Sequence, residues 1–573
     1  VNLTLSSESR QVLIAFGCYL VGVLVLGFFS HRYLRRGSFV SEYFLGNRGL
    51  GPWVLALTVA ATAVSGGTFM GFPSLIYTNG WVMALWIASY MVVPLTTMAL
   101  MGKRINQVAR IAGSVTVPDV LRDRFGSPAL GLLSTCLILL FLTFNLVAQF
   151  KGGGLVMKEA MRLPPVTVVI PVVEWSVDQG YLIGLGIFAF TVIAYTTYGG
   201  FWAVTWADVL EGLVMLFGVI LMALLAVRAV PPIEVEGETV TGLAAATERL
   251  RRTDPELVHG PGPNHFLPLG MAFSFFCMWS LMAAGQPSGM VRLMSFRDTP
   301  SLRRAMMLVV AYYVLTYLLL VVIFVCARAI FPTEYLKEIG TEGQPDSIMP
   351  AMVRHLTRDT PWLGGILLAA PYAAIMSTVA AFLLLISSSL VRDIYQRTIN
   401  PNAPDWVMKL SSYGVTALVG LVVGFFALRP PAFLQYVIVF SASGQGCAFL
   451  MPMLLTLYWP RTTRQGVLAG MVGGLLTLLV FYVLGWLDAA GIRPYAGEMV
   501  PTWATWLGYG SERFDAFAPL NALGVDPLVW GVLVSLVLTV GVSLLTKPDA
   551  ELTARYFPPF TTTNPSRSAP PSA

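Results

Sequence analysis

Thirteen apolar stretches, mostly about 20 residues long and nearly free of charge, dominate the chain, near 10–30, 51–73, 81–103, 128–150, 181–198, 207–230, 265–295, 305–331, 361–389, 409–428, 434–458, 464–485 and 525–545. A run of that length crosses about 30 Å of hydrocarbon as one α-helix. Inside a bilayer only a helix or a closed barrel satisfies every backbone N–H and C=O. The pattern predicts an all-α polytopic membrane protein of about thirteen transmembrane helices, here called spans 1 to 13 in chain order. Composition agrees: 12% of residues are charged, against about 25% in soluble globular proteins.

The formal charge of +6 does not point to nucleic acid, because Lys and Arg follow topology. The basic residues fall in alternate loops: Arg32, Arg35, Arg36 and Arg48; Lys103, Arg104, Arg110, Arg122 and Arg124; Arg292, Arg297, Arg303 and Arg304; Arg392, Arg397 and Lys409; Arg461 and Arg464. The positive-inside rule makes that side cytoplasmic, with the N-terminus outside and, for an odd number of spans, the C-terminus inside. Cys18, Cys136, Cys277, Cys326 and Cys447 all fall within predicted helices, which favours packing over a disulfide framework or a metal site. Span 1 has no small-residue cleavage site and reads as a retained helix.

Residues 1–546 read as one transmembrane domain, and 547–573, ending "TTTNPSRSAPPSA", as a short disordered cytoplasmic tail. External connections near 231–264, 332–360 and 486–524 have room for short surface helices. Neither they nor the rest of the chain shows a metal-ligand cluster, phosphate loop or nucleophile motif, which argues against an enzyme. Two spans are interrupted. Span 2 contains "AATAVSGGTFMGFPS" with Gly66, Gly67, Gly71 and Pro73, and span 7 contains "WSLMAAGQPSG" with Gly285, Pro287 and Gly289. If spans 2–6 (51–230) and 7–11 (265–458) are five-helix repeats, each opens on a broken helix. That is the pattern of an inverted-repeat transporter, whose unwound backbone lines a site at mid-membrane. A lone break of this kind reads equally as a kink or a close-packing point.

In span 9, "AAIMSTVAAFLLLISSS" places Ala374, Ser377 and Thr378 at i, i+3 and i+4, a narrow stripe of small residues on one helix face. Such hydroxyls bond back to their own helix or, set beside backbone carbonyls from elsewhere, form a half-shell for a hard cation. The trailing Ser387, Ser388 and Ser389 read as packing or exit-path residues.

Four stretches, "GNRGLGPWVLALTVAATAVSGGTFMGFP", "YTTYGGFWAVTWADVLEG", "GQPSGMVRLMSFR" and "AAIMSTVAAFLLLISSSLVRDIY", make nearly the whole chain similar to the sodium/solute symporter family. Within it, "SEYFLGNR", "AQFKGGG" and "PMLLTLYWPRTTRQGVLAGMVGG" most resemble the pantothenate branch. The resemblance implies a thirteen-helix inverted-repeat fold and sodium as coupling ion. It implies a sodium site from the carbonyls of Ala61, Val64 and Ala374 and the hydroxyls of Ser377 and Thr378. Ala63 stands where the proline branch carries an aspartate, so that carboxylate is missing here. Asp208 matches a family Asp and reads either as a first-turn acid of span 6 or as a cation stop on the exit path. Glu211 replaces a usual Gln.

Proline-branch substrate contacts match Trp279, Ala283 and Pro287, where Ala283 replaces a tyrosine and argues for a different solute. Further cavity candidates are Asn145, Gln149, Gln286 and Gln445, whose amides serve either a solute or interhelical hydrogen bonds. Lys151, at the outer end of span 4, either snorkels to the interface or attracts a carboxylate. The resulting expectation is a plasma-membrane symporter in which sodium drives uptake of a small, anionic organic solute such as pantothenate or a short monocarboxylate. No organic cofactor, nucleic acid or obligatory protein partner is expected. A proline or other amino-acid symporter, and a membrane sensor module with little transport, are the alternatives.

Overall fold

Long uncharged runs leave a chain in lipid no partner for its backbone except itself, and the computed structural model is accordingly helical. It describes residues 6–30, 39–164, 166–170, 175–332, 345–429, 434–494, 500–509 and 518–557. Among these, ten helices are long and apolar enough to cross a membrane. In chain order the elements used below are α1 (Ser7–Ser30), α2 (Pro52–Ala63), α3 (Phe72–Asn79), α4 (Val117–Phe125), α5 (Pro128–Met161), α6 (Gln179–Ala229), α7 (Leu269–Ser280) and α8 (Pro287–Met294). They continue with α9 (Thr299–Ile330), α10 (Pro361–Ser388), α11 (Asp405–Phe426), α12 (Leu434–Tyr458), α13 (Arg464–Ala489), α14 (Pro527–Leu545) and α15 (Ala550–Tyr556).

Two predicted spans, 5 and 6, meet inside α6 at Gly200, whose φ of 55° and ψ of −145° are not helical. Only a residue without a side chain fits there, since a Cβ would lie 2.4 Å from the ring of Tyr43. The third span is irregular, passing from α-helix through a 3₁₀ turn at Ser89–Val92 and a π segment at Leu95–Gly102 into Lys103–Ala112.

Both predicted interruptions are present. α2 stops at Ala63, Val64 turns out at φ −79° and ψ 105°, and the chain re-enters a helix through a π turn at Gly67–Gly71 that leads into α3. α7 stops at Ser280, a 3₁₀ turn covers Met282–Gly285, Gln286 is extended, and α8 starts on Pro287. Proline suits that first position because its missing N–H would have had no intrahelical acceptor.

The core lies around α10, in which every residue from Leu367 to Ser388 is buried. A helix apolar all round is an interior helix, and α10 packs against α1, α5 and α6. By contrast α11 turns Leu418, Leu421 and Val422 outward, as a lipid-facing helix does.

Several expectations need correction. α5 runs to Met161, so Lys151 is well inside it rather than at its end. The tail is ordered at its start: Asp549 caps α15, and Tyr556 is buried with the guanidinium of Arg124 5.3 Å from its ring. Packing on α4 supplies the order that composition did not promise; residues 558–573 lie outside the described residues. The connections carry the helices Gly242–Thr253 and Ile348–Leu356, but also an antiparallel hairpin, Ile233–Val235 with Glu238–Val240. A second hairpin pairs Thr167–Ile170 with Trp175–Asp178. Of the cysteines, Cys18 and Cys136 are exposed on their helices and only Cys277, Cys326 and Cys447 are buried.

Candidate functional site

A helix that ends inside the protein leaves its last carbonyls without intrahelical donors, and α2 ends against the hydroxyl stripe of α10. Ser377 Oγ donates to the carbonyl of Ala61 at 2.7 Å and lies 3.1 Å from that of Ala374. Thr378 Oγ1 lies 3.2 Å from the carbonyl of Thr62 and 3.0 Å from that of Ala374. Five neutral oxygens thus converge with two hydroxyl protons to share among three carbonyls. All but Thr62, at 7% exposure, are at most 1% exposed. Surplus acceptor capacity in a dry site is what a hard monovalent cation can use.

Four of the five residues named for this site from the sequence, Ala61, Ala374, Ser377 and Thr378, come together. Val64 does not join them through any hydrogen bond seen among the described residues; its N–H closes α2 on Ala60. Thr62 provides the additional carbonyl. Its place in the last helical turn, beside Ala61, is the signal that would have identified it.

Adjacent to these oxygens is a cavity of about 80 Å³, reached by Thr62, Ala63, Ser65 and Thr378 on one side and by α8 on the other. That is room for a few waters. Asn145, Trp279, Ala283, Gln286 and Gln445, all named from the sequence, line it. Aromatic rings cover it: Tyr90 stacks on Trp279 with centroids 4.7 Å apart and on Tyr317 at 4.2 Å. Trp279 Nε1, Tyr313 Oη and Gln445 Oε1, on three residues of the lining, are buried without a hydrogen-bond partner among the described residues. Buried polar atoms are rarely left so, and a bound solute is one way to satisfy them.

Three named residues lie elsewhere. Gln149 braces the broken span, accepting from the N–H of Gly66 at 2.9 Å and donating to Asn145 Oδ1 at 3.0 Å. A Cβ on Gly66 would lie 2.6 Å from Gln149 Oε1, so the glycine is what lets the amide in. Pro287 opens α8 and contributes conformation rather than contact.

Lys151 neither snorkels nor reaches the cavity: its Nζ meets Asp346 Oδ2 at 3.0 Å, with the side chains 5% and 2% exposed. Asp346 Oδ2 also accepts the N–H of Leu434 at 3.3 Å, so the pair ties α5 to the start of α12. Lys151→Met should cost about 3–5 kcal/mol by stranding a buried charge, read as a lowered unfolding midpoint. Adding Asp346→Leu should restore most of the loss; equal stability of the wild type and single variant would show that the pair holds nothing.

Asp208 is not a first-turn acid. It lies well past Gly200 within α6, fully buried, with Oδ2 2.8 Å from Arg292 Nη2 and accepting from Thr58 Oγ1. Arg292 also donates from Nε to Thr62 Oγ1 at 2.7 Å. The sequence had placed Arg292 among loop cations; it is 4% exposed, on the half-helix α8, and lines the cavity. An ionisable residue at this depth is a functional candidate by default, and its place in "GMVRLMS", flanked by apolar residues, was the available signal. Glu211, one turn beyond Asp208, is also fully buried, with Tyr19 Oη 3.5 Å from its Oε1.

The model of the family described as "Sodium:solute symporter family" matches residues 43–474. A sodium/pantothenate symporter from Haemophilus influenzae is 30% identical over 473 residues, 82% of this chain and 89% of that protein. The high-affinity proline transporter PutP of Bacillus subtilis is 28% identical, covering 84% of this chain and 93% of its own length. A solved structure of a Na⁺-coupled sialic acid symporter, in a substrate-bound outward-open state, superimposes with a TM-score of 0.64 at 16% identity, over 94% of this chain and 98% of that one; at that identity the likeness shows a shared fold. With the family model spanning most of the sequence and relatives aligned along nearly their full length, the chain is a multi-pass membrane transporter, not an enzyme, and belongs to the sodium:solute symporter family.

Proposed function

We propose that the protein is a plasma-membrane importer in which sodium flowing inward drives uptake of a small organic carboxylate such as pantothenate or a short monocarboxylate, by alternating access. Its N-terminus is outside and its C-terminus cytoplasmic, and the ten-helix core of two inverted repeats carries both broken spans. The observation that carries the reading is the convergence of Ser377 and Thr378 on the carbonyls of Ala61, Thr62 and Ala374, at 2.7–3.2 Å. Sodium sits among these oxygens when the two hydroxyls turn their protons away from the carbonyls, and it is held by neutral oxygens alone. Asp208 lies on the inward side as a cation stop, already matched by Arg292.

The solute occupies the cavity beside the cation, under Trp279 and against Asn145, Gln286 and Gln445. Sodium closes the join between α2 and α10 that forms one wall of that cavity. Sodium and solute therefore each raise the other's affinity, as linkage requires. Ala283, in the lining, supports a solute broader than proline.

Currents on solid-supported membranes, with a panel of carboxylates and amino acids with and without sodium, test this. Sodium-dependent currents with at least one carboxylate are expected. Sodium-independent transport would overturn the coupling, currents with amino acids alone would move the solute class, and no current with any solute would favour a sensor.

A further inference from the structure

Resting on that reading, we propose that Arg292, with Ser288 one turn before it, is the carboxylate-binding group of the cavity, and that Thr62 connects it to the cation site. Both residues line the cavity from the same face of α8. Arg292, a residue of the cavity lining, uses Nε on Thr62 and Nη2 on Asp208, while Nη1 has no hydrogen-bond partner among the described residues. Nη1 therefore remains available to donate a charge-assisted hydrogen bond to a carboxylate.

The backbone adds to it. α8 begins at an extended Gln286 without a side-chain cap, and Pro287 has no N–H, so the N–H groups of Ser288 and Gly289 and the positive end of the helix dipole are left to an anion. Gly289 leaves that end uncovered, since a Cβ there would meet nothing closer than the carbonyl of Ala283 at 3.9 Å.

Charge balance explains why a carboxylate and sodium would enter together. Asp208 already neutralises Arg292, so the solute brings a surplus negative charge into a dry site and sodium a surplus positive one. Each is costly alone and offset by the other. Thr62 touches both sides, accepting Arg292 on its hydroxyl and Thr378 on its carbonyl, so a shift of either ligand is felt by the other through one residue.

The test is binding to the full chain in nanodiscs, with pantothenate against panthenol, the same molecule ending in an alcohol, and propionate against propionamide. The wild type in sodium should prefer acid to neutral analogue by about 100-fold, Arg292→Gln by less than about threefold, and Arg292→Lys by an intermediate factor. Thr62→Val should reduce sodium's enhancement of acid binding about tenfold. An Arg292→Gln protein that keeps a sodium-induced thermal shift and the full acid preference overturns the assignment. Should that variant fail to fold, an unchanged sodium enhancement in Thr62→Val overturns it instead. Wild type that binds acid and neutral analogue equally, still with sodium dependence, overturns Arg292 as anchor while leaving sodium coupling in place; binding of neither overturns both.

Discussion

Replacing Ser377 and Thr378 together by Ala is expected to abolish sodium stimulation of uptake at physiological sodium. The two hydroxyls are two of five oxygens around the proposed cation, and no carboxylate is in hydrogen-bond contact with them. A hydrogen bond or ligand contact to a charged group contributes about 1.5–3 kcal/mol. Losing two should raise the half-saturating sodium concentration about 100-fold or more. The fold should tolerate the change, at about 1–3 kcal/mol for each carbonyl left without its hydroxyl donor, because both side chains are small. Thr378→Ser keeps the oxygen and should stay within a few-fold of wild type. Uptake into proteoliposomes across a sodium series measures all three proteins, and sodium stimulation surviving in the double variant would remove the site.

Asp208→Asn should have the second largest effect, on stability before transport. Arg292 is 4% exposed and Asp208 fully buried, so removing the carboxylate charge leaves a guanidinium in a dry interior facing only neutral acceptors, the Thr62 hydroxyl and the new amide oxygen. Breaking one side of such a pair costs about 3–5 kcal/mol. Asp208→Asn with Arg292→Gln should recover much of that, since two neutral groups carry no stranded charge. Thermal unfolding in detergent or nanodiscs reads the cycle. A single variant as stable as wild type, but slow to release sodium inward, would mean that Asp208 acts as a cation stop and that its contact with Arg292 adds nothing.

These two sites differ in how legible they were. The Ser377–Thr378 pair was visible because a helix repeats every 3.6 residues, which fixes Ala374, Ser377 and Thr378 on one face whatever surrounds them. The breaks near Gly66 and Gly285 were visible because glycine and proline act on their own backbone. Asp208 and Arg292 were each seen but not joined: Asp208 was read either as a first-turn acid or as a cation stop, and Arg292 as a loop cation. Their meeting joins residues 84 apart and depends on how α8 lies against α6. Lys151 was misplaced for a related reason: whether a lysine snorkels or pairs depends on what the fold brings to it, and its partner Asp346 is 195 residues away.

By itself the sequence determined what local physics controls: helices wherever about twenty apolar residues leave the backbone no other partner, breaks where Gly and Pro interrupt them, and a hydroxyl stripe on one face of α10. Tertiary structure decided which carbonyls that stripe meets, 316 residues away, and that Thr62 joins Ala61 there. It also turned Arg292 from a loop charge into a cavity wall and seated the start of the tail on α4. Contacts between distant helices follow from side-chain packing in three dimensions, and hydrophobic periodicity along one chain records the face a helix buries but not the neighbour it is buried against.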